Sequence, residues 1–244
     1  MNIIICGAYG RMGREVALAA RQAGVSIVAG VDAGPRQDVE FPVYASFSQI
    51  TSDADVIVDF SRPAALGDLL AFARARRIAC VLAATGYGER ENALIAEAAK
   101  EIPLFVSANL SVGVYALKKL AQQARALLPG ADVEIIEKHH RNKADAPSGT
   151  ALALLQAISD KETQPVFGRN GKEALRAPHE IGVHAVRGGT LCGEHEIDFL
   201  MDNEVITISH SAQSRAIFAN GALRAAAFVS TQPAGLYGMD DLFA

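Results

Sequence analysis

Short apolar runs alternate along the chain with longer stretches in which apolar residues recur every three or four positions. Residues 3–6 (IIIC) form the first run, followed by a glycine turn and then residues 11–23, where Met12, Val16, Ala19, Ala20 and Ala23 fall at helical spacing. Gly24 suits the end of that helix. Further runs at 25–31, 55–60 (DVIVDF), 78–83 (IACVLA) and 103–106 read as strands separated by alanine-rich helical stretches. Nearly continuous apolar strands between amphipathic helices imply a parallel sheet covered on both faces. The amino-terminal part is therefore expected to be α/β, a doubly wound, Rossmann-like sheet.

After Asn109 the texture changes. A helix is expected over 112–128, a strand over 132–139, a polar loop up to Ser148 and a helix over 149–159. Segments 182–187, 190–201 and 204–210 are β-rich and are separated by Gly-Gly and Asp-Asn turns, which predicts hairpins of an antiparallel or mixed sheet. Residues 215–229, with Ile217, Phe218, Leu223 and Phe228, read as a helix, and the last residues are expected to pack back on the first domain. The domain expectation is thus 1–110 plus 216–244 for one domain and 111–215 for a second, α+β domain.

Composition narrows the partners. Half of the 244 residues are hydrophobic, enough for well-formed cores. The net charge of -4 leaves no excess of Lys and Arg to neutralise a phosphate backbone, which argues against nucleic acid and for a small-molecule partner. No apolar run approaches the roughly 20 residues of a membrane helix, and the start MNIIICGAYG lacks a basic segment followed by a long apolar one, so a cytoplasmic location is expected. The three cysteines, Cys6, Cys80 and Cys192, have no C-x-x-C spacing, and a reducing compartment fits them. Cys6 and Cys80 lie inside strand-like runs, where a thiol behaves as a small buried hydrophobe.

The first candidate chemistry is the loop Gly7-Ala8-Tyr9-Gly10-Arg11-Met12-Gly13, which follows the first strand and opens the first helix. Its G-x-x-G-x-x-G spacing departs from the common G-x-G-x-x-G, but its position lets backbone N–H groups face a pyrophosphate. Asp32 ends the second strand about 20 residues on, where a carboxylate would accept hydrogen bonds from ribose hydroxyls. No base follows it directly, although Arg36 is near, so NADH should bind and NADPH would need Arg36 to reach the 2′-phosphate. The turns Ala83-Ala84-Thr85-Gly86 and Ser107-Ala108-Asn109 follow strands, and either could line a nicotinamide or be an ordinary loop.

Residues 137–150 (EKHHRNKADAPSGT) are the densest polar passage of the chain. Ser148 is expected to cap the helix that follows, leaving the amides of Gly149 and Thr150 as a carboxylate site with Lys143 adding positive charge. His139 and His140 at a strand end point in different directions, so one can donate a proton while the other bonds a substrate carboxylate. A metal site is the competitor, but His139, His140 and Asp145 lack an H-x-x-x-H face or a cysteine partner. Without further information, a related dehydrogenase of another small acid and a nucleotide sensor without chemistry both stay open.

These residues resemble the dihydrodipicolinate reductase family. The resemblance runs over nearly the whole chain: GAYGRMG at 7–13, VDFSRPAA at 58–65, ATGY at 84–87, SANLSVGV at 107–114, EIIEKHHRNKADAPSGTAL at 134–152, RGGTLCGEH at 187–195 and SRAIFANGAL at 214–223. It implies hydride transfer from NADH or NADPH to C4 of a dihydropyridine dicarboxylate, giving tetrahydrodipicolinate on the diaminopimelate route to lysine. By the same matching, His139 would be the proton donor and Lys143 the second catalytic residue. His140, Lys143, Ser148, Gly149 and Thr150 would bind the substrate. Gly7, Ala8, Tyr9, Gly10, Arg11, Met12, Gly13, Asp32, Ala83, Ala84, Thr85, Gly86, Ala108, Asn109, Leu110 and Arg215 would hold the cofactor. Some positions depart from the family pattern, which commonly reads G-T-T-G where this chain has Ala83-Ala84-Thr85-Gly86 and N-F-S where it has Asn109-Leu110-Ser111. The resemblance also implies a homotetramer built through the sheet of the second domain, a role that suits the β-rich 182–210 stretch.

Overall fold

The computed structural model describes residues 1–34 and 36–244. The elements are β1 (Asn2–Cys6), α1 (Arg11–Gln22), β2 (Ser26–Val31), β3 (Val43–Tyr44), β4 (Val56–Asp59), α2 (Leu66–Arg76), β5 (Ala79–Leu82), α3 (Glu89–Ala98), β6 (Pro103–Val106), α4 (Val112–Leu127) and β7 (Asp132–His139). They continue with α5 (Gly149–Ile158), β8 (Gln164–Phe167), β9 (Glu180–Arg187), β10 (Gly193–Leu200), β11 (Val205–Ala212), α6 (Ala216–Val229), β12 (Gly235–Tyr237) and α7 (Met239–Leu242). The chain divides into two compact units, Met1–Ser111 with Arg215–Ala244, and Val112–Ser214. Among the described residues, no helix is long and apolar enough to cross a membrane.

In the first unit, seven parallel strands lie in the order β12-β6-β5-β4-β1-β2-β3. Successive side chains of a strand face opposite sides, and here both sides are covered. Ile3 and Ile5 pack with Val16, Ala19 and Ala20 of α1 and Ala219 and Ala222 of α6. Ile4 and Cys6 pack with Leu66, Leu69 and Leu70 of α2 and Ile95 of α3. Each fully buried Ile or Leu stabilises by roughly 1.5–3 kcal/mol relative to exposure, so the doubly covered strands carry much of this unit's stability. Cys6 and Cys80 are buried in β1 and β5 as small hydrophobes. The short strands β3 and β12 extend the sheet at its two edges, where two or three residues carry too little pattern to be read from sequence.

The second unit holds a five-stranded mixed sheet, β11-β10-β7-β9-β8. Leu117 and Ala121 of α4 and Ala151, Leu154, Leu155 and Ile158 of α5 cover one face, against Val133, Ile135, Val183, Ile197 and Phe199. The Asp-Asn turn joins β10 and β11 as an antiparallel hairpin. The Gly-Gly turn does not make the expected second hairpin. β7 lies between β9 and β10, parallel to the first and antiparallel to the second. The glycine turn instead crosses the end of β7: Gly188 N donates to His139 O (3.0 Å), His140 N to Leu191 O (2.9 Å) and Arg141 N to Gly189 O (3.3 Å). Adjacent strands in sequence are thus separated by one whose own hydrogen-bonding edges both find partners there.

Candidate active site

Alternation along β7 decides which polar residues are buried. Val133 and Ile135 face the helices, and Glu137 and His139 continue the same row, buried at 0% and 8% exposure. The register then supplies their neighbours, because β9 sets Arg187 beside His139 and β10 sets His195 beside Glu137. A carboxylate in this position needs its charge and lone pairs satisfied. Glu137 Oε1 accepts from Ser148 N (3.0 Å) and Arg187 Nη2 (2.8 Å), and Oε2 accepts from Arg187 Nη1 (2.8 Å) and His139 Nδ1 (2.5 Å). Burial works against ionisation of Glu137, but the bonds from Arg187, His139 and Ser148 outweigh it and hold its carboxyl below the usual range.

The helix that begins beside this network is capped as expected: Ser148 Oγ accepts from Ala151 N at 3.2 Å, and Gly149 is exposed at the first helical position. Ser148 Oγ also bonds His195 Nε2 at 3.1 Å. The His195 ring stands edge-on to that of His139, with centroids 5.2 Å apart. Burial pushes His195 down to about 4, aided by its histidine neighbours, so it stays neutral. Burial also lowers His139, while Glu137 opposes that shift and Lys143 and Arg187 reinforce it. Lys143 Nζ lies 2.9 Å from Asp145 Oδ1, so its charge is shared with a carboxylate. His140 is half-buried just past the strand, its backbone held by Leu191. His139, Lys143, Ser148 and Gly149 thus belong to one region at the end of β7 and the start of α5.

In the first unit, the candidate residues gather at the carboxyl ends of parallel strands. Gly7 has φ +81°, and Gly13 lets α1 sit close, since a Cβ there would lie 2.2 Å from Gly7 O. Gly10 caps α1 without a side-chain hydrogen bond, and the first turn of that helix holds no acidic residue. This arrangement fits a dinucleotide pyrophosphate. Asp32 at the end of β2 accepts from Tyr9 N (2.9 Å) and Gly34 N (2.7 Å), which ties the glycine loop to this carboxylate. Ala83 and Ala84 are buried after β5, and Gly86 has φ +86°. Asn109 Oδ1 accepts from Ser111 N (2.9 Å) after β6. Leu110 is buried in the core, so only its backbone could face a ligand, and Arg215 begins α6.

Four groups here were not singled out from sequence. Arg187 and His195 come to Glu137 only through strand register, which single-sequence patterning does not reveal. Asp59 is buried at the end of β4, where burial raises its carboxyl pKa while Ser61 and Tyr87 hydrogen bonds oppose the rise. Glu137 itself had a readable signal: it is a charged residue in phase with Val133 and Ile135.

A doubly wound sheet with an open helix N-terminus after its first strand, joined in one chain to a unit that buries an acid–base pair, defines a pyridine-nucleotide-dependent oxidoreductase. The family models for dihydrodipicolinate reductase match residues 1–110 (N-terminus) and 113–243 (C-terminus), and the chain belongs to that family. It is 48% identical to the 4-hydroxy-tetrahydrodipicolinate reductase of Caldanaerobacter subterraneus subsp. tengcongensis, over 99% of this chain and 98% of the relative. It is 44% identical to the enzyme of the same name from an Exiguobacterium species, over 100% and 96%. Among solved structures it is similar to the dipicolinate-bound dihydrodipicolinate reductase of Paenisporosarcina sp. TG-14, with a TM-score of 0.80, 25% identity and coverage of 99% of this chain and 98% of that one.

Proposed function

We propose that the chain carries out the reductase reaction of its family, transferring hydride from NADH or NADPH to C4 of the dihydrodipicolinate ring to give tetrahydrodipicolinate for lysine synthesis. The observation that carries this reading is His139, at the end of β7, held by a buried carboxylate that also bonds the start of α5, and within the electrostatic reach of Lys143. Met1–Ser111 with Arg215–Ala244 is the dinucleotide-binding part, and Val112–Ser214 the substrate-binding and oligomerising part.

The nicotinamide supplies the hydride when bound. The dinucleotide's pyrophosphate would be held by the backbone of Gly7–Gly13, its adenosine ribose by Asp32, and its nicotinamide end by the Ala83–Gly86 and Ala108–Leu110 turns, with Arg215, which precedes α6, as a further cofactor contact. Arg36 lines a cavity of about 560 Å³ with Tyr9, Phe41 and Val43, which supports use of NADPH beside NADH when the guanidinium pairs with the 2′-phosphate. One ring carboxylate is held by Gly149, Thr150 and the Ser148 cap, and another by His140 and Lys143. His139 donates the proton that completes the reduction. Because Nδ1 is engaged with Glu137, the proton leaves from Nε2. Lys143 releases Asp145 in part as the substrate carboxylate arrives.

The sheet face opposite α4 and α5 exposes Val186, Leu200 and Val205, which supports a homotetramer closed through this face. A cytoplasmic location belongs to the same reading, and the free thiols of Cys6, Cys80 and Cys192 agree with a reducing compartment.

The test follows oxidation of NADH and NADPH separately on the freshly made condensation product of pyruvate and aspartate semialdehyde. Rapid oxidation that falls at least about 100-fold in His139→Gln and Lys143→Ala is expected for a lost acid or charge. Retained dinucleotide binding without oxidation in the native protein would sink the reading. The ratio of the two rates decides the cofactor, and sedimentation velocity decides the assembly.

A further inference from the structure

We propose that Glu137 is a positioning residue of the reaction: its two carboxylate oxygens fix the proton on Nδ1 of His139 and the start of α5 together, so one group sets both the acid and the anion site. This deepens the reading above and rests on His139 as the proton donor.

The argument is geometric. Oε2 takes His139 Nδ1 at 2.5 Å, Oε1 takes Ser148 N at 3.0 Å, and Arg187 spans both oxygens at 2.8 Å each. A bidentate guanidinium keeps the carboxylate ionised, and an ionised carboxylate can only accept. His139 must therefore donate from Nδ1, which leaves Nε2 as the atom that gains and loses a proton. The residue bonded at Oε1 is the cap of α5, so a movement of the carboxylate that displaced the imidazole would displace the first turn of the helix too. The ordering resembles that of a ligand imidazole oriented by a carboxylate behind it. The register across β7, β9 and β10 holds the arrangement from three strands.

The charged and titratable groups around His139 define what Glu137 contributes. On its own strand there is Glu137. Arg187 comes from β9, and His195 from β10, which is itself next to His210 of β11. Lys143, paired with Asp145, lies in the following loop. α5 contains no charged residue. Of these, Glu137 alone touches the imidazole with negative charge. Without it, burial and the cations Lys143 and Arg187 act on His139 unopposed, and the protonated donor becomes scarcer at neutral pH.

The experiment uses the ¹⁵N-labelled intact protein. In the wild type, the neutral form of His139 should carry its proton on Nδ1. In Glu137→Gln, which keeps the side-chain shape, the His139 titration midpoint should fall by about one pH unit, as expected for loss of one adjacent opposite charge. The alkaline limb of kcat/KM should move down by the same amount, giving about a tenfold loss near pH 7.5 that shrinks toward lower pH. A purely structural role would lower the rate equally at every pH. A wild-type neutral His139 protonated on Nε2, or an unmoved midpoint in folded Glu137→Gln, would overturn the proposal, and the first of these needs no variant to fold. A His139→Gln enzyme that kept its turnover would instead overturn the proton-donor reading, so the two failures are read from different samples.

Discussion

β7 carries two glutamates three positions apart, and each bonds an arginine and a histidine, yet they do different work. Glu137 bonds Arg187 and His139 on the helix-covered face, with no exposed side-chain surface. Glu134 bonds Arg176 and His184 on the opposite face, with its side chain 20% exposed and Arg169 nearby at 3.8 Å. An odd separation along a strand puts the two on opposite sides. Burial turns the first set into a group that governs the proton of a neighbouring histidine. Partial exposure leaves the second as an anchor for the loop that carries Arg169 and Arg176 over the sheet. Residue types alone do not distinguish a site from a strap. The covered face does.

The largest difference should appear when each glutamate is removed. Glu137→Ala leaves Arg187 and His139 without their shared partner in a buried position, a change expected to cost about 3–5 kcal/mol and nearly all turnover. Glu134→Ala leaves Arg169 bonded to Glu180 at 2.7 Å and Arg176 to Asp132 at 2.9 Å, and should cost about 1 kcal/mol with turnover intact. Urea unfolding and steady-state rates on the two variants check this directly. Equal losses would mean that the faces are equivalent and that burial is not what separates them.

Acid should expose the covered face next. His195 has a folded-state value of about 4, held down first by burial and then by the neighbouring His139. An unfolded histidine titrates near 6.5, so between about 6.5 and 4 the unfolded chain binds a proton that the folded chain excludes. The contribution is complete above about pH 6.5 and is lost as pH falls through about 4, a loss of about 3 kcal/mol once both states are protonated. The slope of unfolding free energy against pH in that window should flatten in His195→Gln. A wild-type slope that His195→Gln leaves unchanged would assign acid sensitivity to other groups.

The two units were unequally legible in the sequence. Apolar runs at 3–6, 55–60, 78–83 and 103–106 each correspond to a strand of the parallel sheet, because strands buried on both faces carry an unbroken apolar signal. The Ser148 cap was legible from a local rule that needs only the residues beside it. The place of β9 was not, since the Gly-Gly turn looks the same whether it closes a hairpin or crosses the end of a third strand. Arg187 and His195 were hidden for the same reason: they reach Glu137 across strands, 50 and 58 positions away along the chain. Glu137 could have been read from the phase of Val133 and Ile135, and its polar neighbours masked that phase.

A pair of glycines sharpens the comparison with a smaller effect. On β9, Gly182 lies across from Glu134, and a Cβ there would stand 1.7 Å from Glu134 Oε2. On β10, Gly193 begins the strand beside His139, and a Cβ there would stand 2.8 Å from His139 Nε2. Both contacts are too close to keep, so in each alanine variant the neighbour must move. Glu134 is a flexible side chain with solvent on one side and can rotate away, giving up some of its bonds to His184 and Arg176. Gly182→Ala should therefore leave turnover unchanged and lower the melting temperature slightly. His139 has no such freedom, because Glu137 holds Nδ1, the His195 ring stands 5.2 Å away and the residue is buried. Gly193→Ala should displace the very nitrogen that exchanges its proton, and a misplacement of that kind lowers turnover by about 10- to 100-fold while dinucleotide affinity stays as it was. Rates and calorimetry on the two variants decide it. Full activity in Gly193→Ala would mean that His139 can shift without loss, and then a carboxylate that fixes its position could not be what distinguishes the covered face from the open one.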